Sequence, residues 1–271
     1  MSSKKISEFR RLHETGCFVI PNPWDRGTAI YLASLGFKAL ATTSAGFAWS
    51  VGRADSAVTV EQVLEHLEEI AGAVGVPVNA DFEGGFAKEP QGVAANVARA
   101  VKTGIAGLSI EDSTGDAQNP LFDFPLAVER IKAARMAIDR SGSGVLLTGR
   151  SEGFIAGRPD IKETMRRLEA YAAAGADVLY APGIRSKEDI SAVVKAVAPK
   201  PVNLLIGGNW MTVAEAAALG VRRISVGGAL ARSVWSGFAK AAKEIADNGS
   251  FSGLAPAGPS VNLNDFFRRA S

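Results

Sequence analysis

Thiol and imidazole are what this chain has least of: Cys17 is the single cysteine in 271 residues, and histidine occurs only as His13 and His66. A lone cysteine excludes an intramolecular disulfide and any multi-cysteine zinc or iron–sulfur centre. His13 falls in an N-terminal helical stretch and His66 inside a predicted helix over 60–74. Neither stands at a strand end, so Ser-His-Asp, Cys-His and zinc mechanisms are disfavoured. Charge of one sign is lacking too: 30 Lys and Arg against 28 Asp and Glu leave a net +2, too even to argue for nucleic acid or an acidic membrane. No apolar run approaches the ~20 residues that span a bilayer. The opening Met-Ser-Ser-Lys-Lys-Ile has no apolar stretch of a secretory signal, so the expectation is a soluble, cytoplasmic protein. What the chain does have is an ordinary globular balance, 47% hydrophobic and 21% charged, which excludes disorder.

Short β-rich runs alternate with helical stretches from end to end, the pattern of βα units on a parallel sheet. Strands are predicted at 17–20, 38–43, 77–81, 107–111, 144–148, 177–180, 201–206 and 223–226, and helices most clearly at 60–74, 92–102, 126–140, 161–174, 190–198 and 229–246. The helix over 60–74 carries Val63, Leu64, Leu67, Ile70 and Ala71 on one stripe, with Glu61, Glu65, Glu68 and Glu69 elsewhere. Four helix-to-strand junctions place Gly36, Gly104, Gly175 and Gly220 where a left-handed cap belongs. Eight like units fit an α/β fold of the (β/α)8 barrel type, whose usual size of about 250 residues matches this chain. A doubly wound sheet is the competitor, but its G-x-G-x-x-G is missing from the first turn. The reading is one barrel domain, 1–271, with 248–271 as a tail. That C-terminal helical extension packs on its own barrel or is exchanged with a neighbour.

In such a barrel the chemistry gathers where the strands finish. The residues at those ends are Asn22, Trp24 and Asp25; Thr42, Thr43, Ser44 and Gly46; Asp81 to Gly85; Glu111, Asp112 and Ser113; Arg150, Ser151 and Glu152; and Asn203 with Gly207, Gly208 and Asn209. Asp81 and Glu83 are two apart and point to one side of extended chain. Glu111 converges on them one unit later. Three carboxylates at one rim repel one another unless a cation neutralises them, and all-oxygen ligation suits Mg²⁺ or Mn²⁺. The competing reading makes these acids helix caps and turns. Arg150 beside them suits a substrate carboxylate or phosphate; its competing reading is an ion pair with Glu152 or Glu111. The pairs Gly207-Gly208 and Gly227-Gly228 end strands seven and eight, where many barrels hold phosphate.

At these residues the chain resembles the isocitrate lyase/phosphoenolpyruvate mutase superfamily. The likeness rests on Pro21-Asn22-Pro23-Trp24-Asp25, Thr43-Ser44-Ala45-Gly46, Gly52-Arg53-Ala54-Asp55, Ala80-Asp81-Phe82-Glu83-Gly84-Gly85-Phe86, Ile110-Glu111-Asp112-Ser113 and Gly149-Arg150-Ser151-Glu152, in order and at the right spacing. The resemblance implies a Mg²⁺-dependent barrel that makes or breaks C–C or P–C bonds through an enolate of a small anionic 2-oxo acid. It also implies a homo-oligomer, commonly a tetramer. By position, Asp81 would be the principal metal ligand, Glu83 and Glu111 would complete the sphere through water, and Asp55 would lie beside it. Ser44, with the amides of Ala45 and Gly46, would hold the substrate carboxylate, and Arg150 its far anionic group; Trp24 and Asn203 complete the expected substrate contacts.

Three departures narrow the activity. The family's Asp-x-Asp is Asp81-Phe82-Glu83 here, and its Arg-Thr-Asp is Arg150-Ser151-Glu152. The loop after strand four, Ser113 to Pro120, lacks the lyases' Lys-Lys/Arg-Cys-Gly/Ser-His gate, whose cysteine protonates the enolate. It offers Asp116, Gln118 and Asn119 instead, to bind substrate or position water. Isocitrate and methylisocitrate lyase activities are therefore poorly supported; a mutase, a hydrolase of phosphonopyruvate or oxaloacetate, or a decarboxylase remains. Two other classes stay in view: a phosphate- or flavin-handling barrel using the Gly pairs, and a barrel that binds a ligand without catalysis.

Overall fold

The structure is a computed structural model and describes residues 2–255 and 261–270; the predicted tail over 248–271 falls partly outside them. The chain packs as two compact units, Met1–Gly228 and Ala229–Ser271. The first unit contains β1 (Phe18–Ile20), β2 (Leu40–Ala41), β3 (Val78–Asp81), β4 (Gly107–Glu111), β5 (Leu146–Arg150), β6 (Val178–Tyr180), β7 (Val202–Leu205) and β8 (Arg223–Ser225). Its helices are α1 (Ser2–Leu12), α2 (Arg26–Ser34), α3 (Ser44–Ser50), α4 (Val60–Ala73), α5 (Pro90–Ala100), α6 (Phe124–Ser141), α7 (Ile161–Ala173), α8 (Lys187–Ala196) and α9 (Val213–Ala218).

The eight strands are parallel and neighbour one another in the order β1-β8-β7-β6-β5-β4-β3-β2, the (β/α)8 barrel expected. Between β1 and β2 the ring closes through the Ala41 N–H on the Pro21 carbonyl, 3.1 Å. Buried Asn22 stitches this seam. Its amide donates to the Thr42 carbonyl (2.9 Å), and its Oδ1 accepts the N–H groups of Val226 and Gly227, both at 2.9 Å.

The repeated junction has the physical cause read from the sequence. Gly36, Gly104, Gly175 and Gly220 all adopt left-handed backbone, with φ of 89°, 88°, 101° and 89°, a conformation that costs a side chain roughly 1–2 kcal/mol. Two strands depart most from expectation: β2 is Leu40–Ala41 rather than 38–43, and β5 is shifted along the chain. β5 runs over Leu146–Arg150 rather than 144–148, because Gly144 (φ 73°) belongs to the preceding turn. Arg150 is therefore the last residue of a rigid strand, in register with Glu111 on one side and Tyr180 on the other.

The strands are buried almost throughout, with Leu108, Ile110, Leu147, Leu179 and Leu204 in the core. α1 covers the end where strands begin. Phe9 is fully buried there, and a Cβ on Gly107 would come within 2.7 Å of its ring, so only glycine lets the helix approach. That leaves the opposite end open for chemistry. The second unit holds α10 (Ala229–Asn248) and α11 (Leu263–Ala270). Beyond α10 the chain turns back onto the Glu244 carboxylate, which accepts the N–H groups of Ser252 (3.0 Å) and Gly253 (2.8 Å). Among the described residues no helix is long and apolar enough to cross a membrane.

Candidate active site

β3, β4 and β5 end side by side and deliver Asp81, Glu111 and Arg150 to one rim. The Arg150 guanidinium donates from Nη1 to Asp81 Oδ1 (3.2 Å) and from Nε to Glu152, and Nη1 forms an ion pair with Glu111 Oε2 at 3.1 Å. The ion-pair reading of Arg150 is thus realised with both predicted partners and with Asp81 as well. Its plane lies over the Tyr180 ring, 5.2 Å to the centroid. Burial alone would lower the Arg150 pKa, but Glu111, Glu152 and Asp81 outweigh it and hold the group well above its usual range. It is a permanent cation.

The acids around it are not all so well compensated. Burial, with help from Glu152, Asp81 and Glu83, drives Glu111 well above the ordinary carboxylate range against the pull of Arg150. Burial likewise raises Glu152. Glu83 sits in the turn after β3 with left-handed backbone (φ 45°). Burial and the charges of Asp81 and Asp55 push it up to about 7. Its Oε1 is buried and has no hydrogen-bond partner. Asp55, on the loop between α3 and α4, is raised by burial and then by Asp81.

Ser44 and Asp81 are joined directly: the Ser44 N–H and Oγ donate to Asp81 Oδ2 at 3.0 and 2.9 Å. Thr43 caps α3 by accepting the Gly46 N–H at 3.3 Å. Asp81 therefore serves the helix-capping reading in part while also meeting Arg150. Ala45 follows in the first turn of α3. A cavity of about 950 Å³ opens beside the acids, lined by Glu83, Glu111, Arg130 and the β4–α6 loop, including Asp116, Gln118 and Asn119. That loop is a small hairpin: Ser113 bridges Leu121, and Asp116 accepts the Gln118 N–H at 2.8 Å.

Of the two remaining expected substrate contacts, one has its side chain engaged within the barrel. Asn203 is buried inside the barrel, its amide donating to Ser225 Oγ (2.9 Å) and its Oδ1 accepting Arg223 Nε (2.8 Å). Both ends of its side chain are committed. Trp24 lies half-buried in the loop between β1 and α2, at the strand-end rim, its main-chain N–H on Thr28 Oγ1 at 3.3 Å. The phosphate reading of Gly227-Gly228 also weakens, since the Gly227 N–H is held by Asn22.

Sequence reasoning missed the buried scaffold. Asp112, read as a turn residue, is 2% exposed and accepts Arg167 (3.0 Å), Tyr171 (2.6 Å) and the Glu152 N–H (2.7 Å). Arg130 and Tyr180 carried no motif. The one available signal for Tyr180 was its place at the end of β6.

Whether the donors fit a divalent ion turns on Glu83. Among the described residues no three acidic, histidine or cysteine groups form a ready-made cage, and Arg150 lies between Asp81 and Glu111. Yet four carboxylates, Asp81, Glu83, Glu111 and Glu152, gather about one arginine, with Asp55 on the exposed loop beyond them, and Glu83 Oε1 is buried without a donor. Surplus buried negative charge with an unpartnered oxygen fits a hard, oxygen-loving cation. The same surplus sets a pH dependence. A carboxyl raised to about 7 contributes stability that is present below its unfolded value and lost as pH rises through 7. In EDTA, urea denaturation should show a fall of about 2–3 kcal/mol from this group between pH 5 and 8. Glu83→Gln should remove that share; an unchanged pH slope in the variant would contradict the assignment.

Comparison with known proteins follows this geometry. Residues 9–246 match the family model for phosphoenolpyruvate phosphomutase. The solved structure of a candidate lyase/mutase from Burkholderia cenocepacia J2315 is 45% identical, with TM-score 0.94 over 98% of this chain and 97% of that one. Oxaloacetate acetylhydrolase in complex with the product oxalate is 28% identical, with TM-score 0.85 over 97% and 93% of the two chains. An oxaloacetate decarboxylase of Paraburkholderia xenovorans (strain LB400) is 29% identical over 226 residues, 79% of this chain and 71% of that protein.

Proposed function

This chain belongs to the phosphoenolpyruvate phosphomutase family, and from that premise we propose that it is a divalent-metal-dependent enzyme acting on a small anionic 2-oxo acid, cleaving or rearranging a C–C or P–C bond. The observation that carries the reading is the excess of buried carboxylates about Arg150, with Glu83 Oε1 left unpartnered. Asp81, Glu83 and Glu111 would hold Mg²⁺ or Mn²⁺. When bound, the ion supplies positive charge at the oxygen where an enolate develops.

The chain's own groups account for the rest. Bond cleavage beside a carbonyl leaves an anion, and a cation fixed in advance stabilises it without reorganisation. Arg150 is such a cation: three acids and the Tyr180 ring hold it in place. Ser44, with the amides of Ala45 and Gly46 in the first turn of α3, is placed to take the substrate carboxylate once its donors turn from Asp81. Gln118 and Asn119 stand on the loop over the cavity, where neutral amides can bind substrate or orient water. Asp55 borders the acids. Asn203 is left out of this assignment because its amide is already spent.

The test is direct. Purified protein with Mg²⁺ should release pyruvate or oxalate from oxaloacetate, phosphonopyruvate or a 2-alkylmalate faster than a protein-free control, and EDTA should abolish the difference. No turnover of any of these, with no effect of EDTA, would remove the proposal.

A further inference from the structure

Arg130, on α6, is 1% exposed and, among the described residues, forms no ion pair, unlike Arg150 and Arg167. Its guanidinium is spent on main-chain oxygens. Nη1 donates to the carbonyls of Ala87 and Lys88 (2.7 Å to the latter), and Nη2 donates to that of Gly84. On its other face it lies over the Phe122 ring, 3.9 Å to the centroid. Nε is buried with no partner, and burial lowers the group to about 10. A charge desolvated without a counter-ion is costly, so its placement calls for a reason beyond packing.

The reason lies in the segment it holds. Between β3 and α5 the backbone turns left-handed at Glu83 (φ 45°), Gly85 (φ 74°) and Phe86 (φ 55°). Two of these are side-chain-bearing residues in a conformation that persists only when its surroundings over-determine it. Arg130 provides three of the bonds that do so, and Asn96 adds two from Nδ2, to the carbonyls of Gly85 (3.0 Å) and Phe86 (3.4 Å). A Cβ on Gly84 would stand 2.9 Å from Arg130 Nη2, so the glycine is what lets the guanidinium lie against the turn. Phe122 closes the hairpin that carries Gln118 and Asn119, its N–H on the Asp112 carbonyl at 2.9 Å. One side chain therefore touches both the turn that aims Glu83 and the end of the loop over the cavity.

We infer that Arg130 is a positioning residue: it fixes the Glu83 turn and couples that turn to the β4–α6 loop, so that filling the acid site is felt at the loop. The metal arm of the test rests on the divalent-ion reading above; the exchange arm does not. In wild type without metal, amides of 83–88 and 113–122 should exchange slowly, and Mn²⁺ should slow both segments further. Arg130→Met should speed exchange in both by about tenfold or more with the barrel strands unchanged, and weaken Mn²⁺ binding, followed by electron paramagnetic resonance, by about tenfold. Residual Mn²⁺ should then protect 83–88 without protecting 113–122. Ile138→Ala, a cavity in the same helix, controls for lost stability and should leave Mn²⁺ affinity unchanged. Arg130→Lys keeps the charge with fewer donors and should fall between, which also serves if the Met variant does not fold. Wild-type exchange and affinity in Arg130→Met, or equal losses in Ile138→Ala, would overturn the inference. Wild type that ignores Mn²⁺ would instead count against the metal reading, with the metal-free exchange comparison still deciding Arg130.

Discussion

Arg150→Met should cost about 3–5 kcal/mol of folding stability at pH 8 and much less at pH 5. Methionine keeps the stem's packing against Tyr180 but removes the cation that Asp81, Glu111 and Glu152 share. The three acids then face one another in a buried site and relieve their repulsion by taking up protons. Groups whose pKa is raised on folding stabilise at low pH, and that contribution disappears as pH rises through the folded value. Glu111 and Glu152 are already raised by burial with the arginine in place, so its removal extends the loss to higher pH. Urea denaturation at the two pH values measures the difference. A variant that unfolds at pH 8 and recovers at pH 5 agrees with the account. Equal losses at both, or a loss below about 1 kcal/mol at pH 8, would show that the ion pairs are only surface-strength.

Asp81→Asn should leave the fold intact and lower metal-dependent turnover by about a thousandfold. The amide keeps the shape and an oxygen that can still accept from Ser44, so circular dichroism and the thermal midpoint should stay close to wild type. What disappears is the charge at the centre of the cluster, the group that meets both Arg150 and the first amide of α3. Mn²⁺ affinity should fall with turnover. Activity within tenfold of wild type would take Asp81 out of the reaction.

The sequence carried the barrel because its junctions repeat. Glycine at four of the αβ joints has a steric cause, and φ between 88° and 101° at all four confirms it. The acids and Arg150 were legible for a related reason: strand ends converge whatever the loops do, and Glu111 does stand in register with Arg150. The boundary of β5 was harder, since Gly144 looks like strand until its turn is seen. α3 was hidden as well, because Ser44 to Ser50 is too short to show a period.

The scaffold beneath the site was illegible for a different reason. Arg130 and Arg167 fall in amphipathic helices where a charged residue ordinarily marks the wet face. Only the packed structure turns them inward, toward carbonyls in one case and Asp112 in the other. Asn203 is the opposite case: its place toward the end of a strand made it an expected substrate contact, and in the structure Arg223 and Ser225 take up its side chain.

Cys17 immediately precedes β1, at the end of the barrel that α1 covers, and burial pushes its thiol upward. The strand-end rim therefore presents no thiol to an oxidant or an alkylating agent. A cysteine that protonates an enolate has to be kept reduced to act. In the site proposed here carboxylates, a guanidinium and amides take that place, so turnover should be insensitive to thiol-specific alkylation, which an assay with and without iodoacetamide measures.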